Sequence, residues 1–125
     1  MVVGARVART LGTTAVLVYV RPPIGPLGEP YYQEKLSEQM EYTRAVVGRA
    51  QTLVRQEGCN ADAEILEGSP PDRVVELARA RNAPLIVVGS RGLSAVTGAL
   101  LGSVSGAILH RTDRPVLVVP IATGE

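Results

Sequence analysis

Three short runs of aliphatic residues, Ala15–Val20 (AVLVYV), Pro84–Val88 (PLIVV) and Pro115–Val119 (PVLVV), alternate with stretches of helical periodicity, and that alternation constrains the fold most tightly. A run with no polar residue in alternate positions predicts a strand covered on both faces, the usual condition of a parallel sheet. Val3, Val7 and Leu11 fall on one helical face with Ala8 beside them, and Gly12 offers a C-terminal cap. The segment Arg21–Pro30 (RPPIGPLGEP) is rich in Pro and Gly, which neither a strand nor a helix tolerates. Leu36, Met40, Val47, Ala50 and Val54 predict a long helix from about Tyr31 to Glu57, stopped by Gly58. Ala61–Glu67 alternates acidic and apolar residues, as a half-exposed strand near a sheet edge does. Ser69 as N-cap, Pro70 at the first helical position and Asp72 in the first turn open a helix reaching about Asn82. That helix is expected to bury Val74, Leu77 and Ala78, with Val75 beside them, and a last helix covers Ser103 to about His110. Helix and strand thus alternate four times. Such alternation predicts right-handed crossovers and an open, mostly parallel sheet with helices on both faces, a Rossmann-like α/β fold. At 125 residues, the chain is expected to form a single domain, 1–125.

Composition narrows the function. The chain is 46% apolar and 20% charged, a globular balance, with a formal net charge of +1 that gives no basic footprint for a nucleic-acid backbone. Four Tyr with no Trp or Phe leave little surface for stacking bases and a core of Val, Leu, Ile and Ala. The lone Cys59 cannot close an internal disulfide, and no His/Cys group has metal-ligand spacing. No secretory segment opens the chain, so a reducing cytoplasm is the expected compartment. Leu93–Leu109 carries only apolar, Gly, Ser and Thr residues and so imitates a membrane helix. Its glycines and hydroxyls suit a loop that exposes its backbone, and no membrane association is expected.

The site signal lies after the PLIVV strand, because ligands of open α/β sheets gather at the carboxyl ends of strands. There the chain reads Gly89-Ser90-Arg91-Gly92, nine further residues, then Gly102-Ser103-Val104-Ser105. Glycine lets main-chain N–H groups approach a ligand closely, and the start of the next helix favours an anion. Ser103 adds a hydroxyl donor, and Arg91 is placed to reach a phosphate or to lie exposed in a turn. The pattern describes a phosphate cradle built mostly of backbone; the same glycines would equally serve tight strand-to-helix turns, and spacing does not separate the two. His110 is expected to be a solvated residue complementing the helix dipole. Asp113 and Arg114 read as loop surface, and Glu38, Glu41 and Arg44 as a solvated helix face.

The run VVGSRG-LSAVTGALL-GSVSGAILHRTDRPVLVVP resembles the C-terminal half of universal stress proteins. Gly89, Gly92, Gly102 and Ser103 fit the Gly-x2-Gly-x9-Gly-Ser/Thr pattern of the family's ATP-binding branch without a gap. EGSPPDRVVELARARNAPLIVVG and TAVLVYVRPP are similar to other parts of that fold, so the likeness covers nearly the whole chain. The resemblance implies a nucleotide-dependent regulatory protein of the stress response. ATP would be held at adenine by main-chain atoms of Val20. Its ribose and phosphates would be held by Gly89, Arg91, Gly92, Gly102, Ser103, Val104 and Ser105, with Mg2+ bound through the phosphates. It also implies a homodimer through the uncharged edge strand Val116–Val119.

The resemblance departs at the amino terminus. Family members open with a strand ending in Asp, whereas this sequence starts inside what would be the first helix. In the family's strand order, 3-2-1-4-5, that strand is central. Its loss would leave backbone groups of AVLVYV and PLIVV unpaired, at a cost of a few kcal/mol each by order of magnitude. Three accounts follow: a shortened chain, closure of the flanking strands on each other, or a partner chain in the gap. Two other functions stay open: a nucleotide-independent dimeric interaction module and a slow ATPase, the latter without a Walker lysine.

Overall fold

The computed structural model describes residues 1–21, 23–89 and 102–119, which fall into two compact units, Met1–Gly68 and Ser69–Glu125. In the first, the order is α1 (Val2–Leu11), β1 (Ala15–Arg21), α2 (Tyr31–Gln56) and β2 (Ala61–Glu67). In the second it is α3 (Pro70–Ala80), β3 (Ile86–Gly89), α4 (Ser103–Arg111) and β4 (Val116–Val119). The chain is an α/β protein with parallel strands, as the alternation of patterns requires.

In the first unit β1 and β2 run parallel in an unbroken register from Ala15 opposite Ala61 to Arg21 opposite Glu67. Gly12 ends α1 at φ 68°, ψ 32°, a left-handed geometry that costs glycine nothing. Its N–H donates to Arg9 and that of Thr13 to Ala8, which satisfies two terminal carbonyls. The core gathers Ala5, Ala8, Val54, Cys59 and Ala61, with Ala15 and Leu17 packed against it. α1 therefore buries Ala5 and Ala8; of the face Val3, Val7 and Leu11, Val7 is half-buried, whereas Val3 and Leu11 are exposed, Leu11 to 55%. Small side chains let α1 approach its neighbours closely, and closeness wins here over side-chain size. α2 buries Thr43, Val47, Ala50 and Val54, steps of four, three and four residues along one stripe. Thr43 joins that stripe because its hydroxyl donates to the Gln39 carbonyl one turn back, so no polar atom is left unpaired.

The second unit is built the same way. β3 and β4 are parallel, with Ile86 opposite Val116 and Gly89 opposite Val119. Its core holds Val75, Ala78, Ile86 and Ile108, flanked by Val74, Ala83, Val88 and Val116. Pro70 and Pro71 sit in the first turn of α3, where missing N–H groups cost nothing. That helix ends at Ala80, two residues short of the expected Asn82, which itself takes φ 50° in the following turn. Arg114 is not loop surface, as expected, but fastens that turn. Its guanidinium donates to the Ala83 carbonyl at 3.0 Å and the Asn82 side chain at 3.3 Å, and its side chain is largely buried.

Strand burial differs from expectation. AVLVYV is half-buried along its whole length, and in β3 only Ile86 is buried while Val87 is 38% exposed. The reason is pairing: the strands form two separate sheets, β1 with β2 and β3 with β4. Each strand has one hydrogen-bonded neighbour among the described residues, so none has the flanking strands that bury a central one.

Candidate functional site

The site residues in the second unit lie at the carboxyl end of β3 and the amino end of α4. β3 stops at Gly89, and α4 starts at Ser103 behind Gly102 as N-cap. Gly102 adopts φ −68°, ψ 159°, and Gly89 is the last residue of an extended strand. Both conformations are open to any residue, so neither glycine is there to permit a left-handed turn.

α4 carries no side-chain cap and no acidic residue in its first turn. Its first intrahelical bond runs from the Gly106 N–H to the Gly102 carbonyl, so the N–H groups of Ser103, Val104 and Ser105 precede the helical ladder. With the positive end of the helix dipole, those donors make the entrance receptive to an anion. Ser103 and Val104 are exposed there. His110 and Arg111 occupy the last turn, where cations complement the opposite dipole end; His110 is exposed, as expected. Arg111 meets Asp72, in the first turn of α3, at 2.6 Å, so one ion pair serves the charge preference of two helix ends.

Ser105 is a different case. Its side chain is 4% exposed, and its hydroxyl donates to the carbonyl of Gly89, across sixteen residues of sequence. The motif groups Ser105 with the phosphate ligands; no local pattern reveals this bond, which depends on β3 and α4 meeting. Val20 lies in the first unit, next to the carboxyl end of β1, where Arg21 pairs with Glu67 at 2.7 Å and accepts the Gly68 N–H at its carbonyl. Arg91 and Gly92 lie outside the described residues, as does most of the membrane-like segment Leu93–Leu109. Among the described residues no helix is long and apolar enough to cross a membrane, and no His/Cys/Asp/Glu group is arranged to hold a metal ion.

Comparison with known proteins gives a consistent picture. The model of the universal stress protein family matches residues 3–120. A Thermus aquaticus protein, the universal stress protein in QAH/OAS sulfhydrylase 3'region, is 34% identical over 113 residues, which span 90% of this chain and 81% of that one. Two further relatives are longer, and the chain spans 46% and 61% of their lengths. Among solved structures, the universal stress protein of Archaeoglobus fulgidus in complex with dAMP superposes with a TM-score of 0.73 at 23% identity, covering 94% of this chain and 82% of that one. A universal stress protein in complex with cAMP gives a TM-score of 0.71 at 26% identity, covering 95% and 83%.

Proposed function

This chain belongs to the universal stress protein family, and from that premise we propose that it is an ATP-binding regulatory protein. Its phosphate-binding element is the amino end of α4. The carrying observation is that entrance itself: Gly102 needs no glycine for its backbone, and α4 has no side-chain cap and no acid in its first turn. A bound phosphate would accept from the first main-chain N–H groups of the helix and place negative charge at the positive end of its dipole. The N–H groups of Ser103 and Val104 and the Ser103 hydroxyl would be its donors, with Mg2+ carried on the phosphates. Arg91 and Gly92 complete the motif in sequence, and Val20 keeps its assignment to adenine from the family resemblance. Two family members in complex with dAMP and cAMP support an adenine nucleotide as the ligand class.

A reducing, cytoplasmic setting fits a single cysteine that is buried and turned towards the Asn60 carbonyl. The uncharged strand β4, Val116–Val119, is the proposed homodimer edge. Light scattering tests the dimer: a monomer at micromolar concentration contradicts it. Calorimetric titration of Mg-ATP into nucleotide-stripped protein tests the ligand. Saturable binding that Gly102→Val abolishes is expected, because a branched side chain would occupy the helix entrance. Absence of binding by the folded wild-type protein refutes the reading.

A further inference from the structure

Of the two serines flanking Val104 at the start of α4, one faces outward and one is buried. Ser103 is exposed, while Ser105 has its hydroxyl enclosed and directed at the Gly89 carbonyl. A hydroxyl has one proton to donate. At Ser105 that proton is engaged, so in this arrangement the side chain has none to offer a phosphate oxygen, which only accepts. The bond joins the last residue of β3 to the first turn of α4, the two ends between which the segment 90–101 runs. Gly89 has Val119 as its register partner in β4, so the bond ties α4 to the end of a sheet and not to a loose loop. Below it, Ile108 is packed with Ile86 in the same unit's core, which gives α4 a second attachment three residues further along.

We propose that Ser105 is a positioning residue, a latch from α4 to the end of β3 that holds the helix's amino end where a phosphate meets it, while Ser103 provides the donor. The proposal rests on the nucleotide reading above for its consequence and on the Ser105–Gly89 bond for its substance. Without the hydroxyl, the Gly89 carbonyl loses its partner and the arrangement competent for binding becomes only a fraction of the ensemble. Apparent affinity then falls to that fraction of its value. A buried hydrogen bond of ordinary net strength corresponds to a change of about tenfold.

The test uses the full 125-residue chain, free of nucleotide, as wild type and as Ser105→Ala, Ser105→Thr and Ser103→Ala. Amide hydrogen exchange is read at Ile86–Gly89 and at Gly106, and Mg-ATP affinity by calorimetry. Ser105→Ala is expected to speed ligand-free exchange at these amides by about tenfold and to weaken Mg-ATP binding by up to about that factor. Ser105→Thr, which keeps the hydroxyl, is expected to restore both. Ser103→Ala should weaken binding and leave ligand-free exchange at the wild-type rate, the split that separates a ligand from a latch. Unchanged exchange in Ser105→Ala overturns the latch, and faster exchange with full affinity overturns its positioning role. If wild type binds no Mg-ATP, the nucleotide reading fails by itself, and the exchange data still decide whether the latch exists.

Discussion

Replacing Ile108 by alanine probes what holds α4 in place. Ile108 is 1% exposed, the largest fully buried side chain among the described residues, and sits with Val75, Ala78 and Ile86 in the core of the second unit. Truncation to Ala removes three carbon atoms, worth ~0.8 kcal/mol each in lost transfer free energy, or ~2.4 kcal/mol in all. The cavity left behind adds to this, because neighbours on α3 and β3 relax only in part. A total of about 3 kcal/mol is expected, within the ~2–5 kcal/mol range of such changes. Ile108→Val should cost only about 1 kcal/mol. The adjacent Leu109 is chemically similar but 41% exposed, so Leu109→Ala should stay within about 0.5 kcal/mol. Urea unfolding followed by circular dichroism measures all three, with stability read from the midpoint at constant slope. Equal losses for Ile108→Ala and Leu109→Ala would refute the packing argument, since only burial distinguishes the two positions.

Gly12→Ala should destabilise the protein by about 1 kcal/mol, because φ 68° carries the left-handed penalty for any side chain even though open space surrounds it; Gly12→Asn should lose less, and thermal melts rank the pair. The Asp72–Arg111 pair is half-exposed on both sides, so Asp72→Asn should cost at most about 1 kcal/mol. That loss should shrink in 1 M NaCl, and a salt-independent loss in urea titrations would contradict it.

The fold class was legible because it depends on period. Runs such as AVLVYV and PVLVV between amphipathic stretches specify parallel strands and crossover helices with no knowledge of distant contacts. Gly12 and Pro70 were equally readable, since cap chemistry is local. Burial was less so. Val3 and Leu11 look like core by size, yet the close approach of α1 selected Ala5 and Ala8. Thr43 looks polar, yet it is buried because its hydroxyl is satisfied within its own helix. Strand burial depends on the number of neighbours a strand has, which periodicity does not encode; with one neighbour each among the described residues, β1 is half-buried and Val87 exposed. At the site, the glycine spacing located the helix entrance, but it did not separate Ser103 from Ser105. That distinction arises when β3 and α4 come together and one hydroxyl finds a carbonyl.

The central claim is that main-chain donors at the start of α4 receive the phosphates of an adenine nucleotide. Amide chemical shifts of 15N-labelled, nucleotide-stripped protein, followed during titration with Mg-ATP, test it at the atoms concerned. The Ser103 and Val104 amides are expected to move furthest and saturate together, with adenosine moving them little. Saturable binding that leaves both amides in place would contradict it.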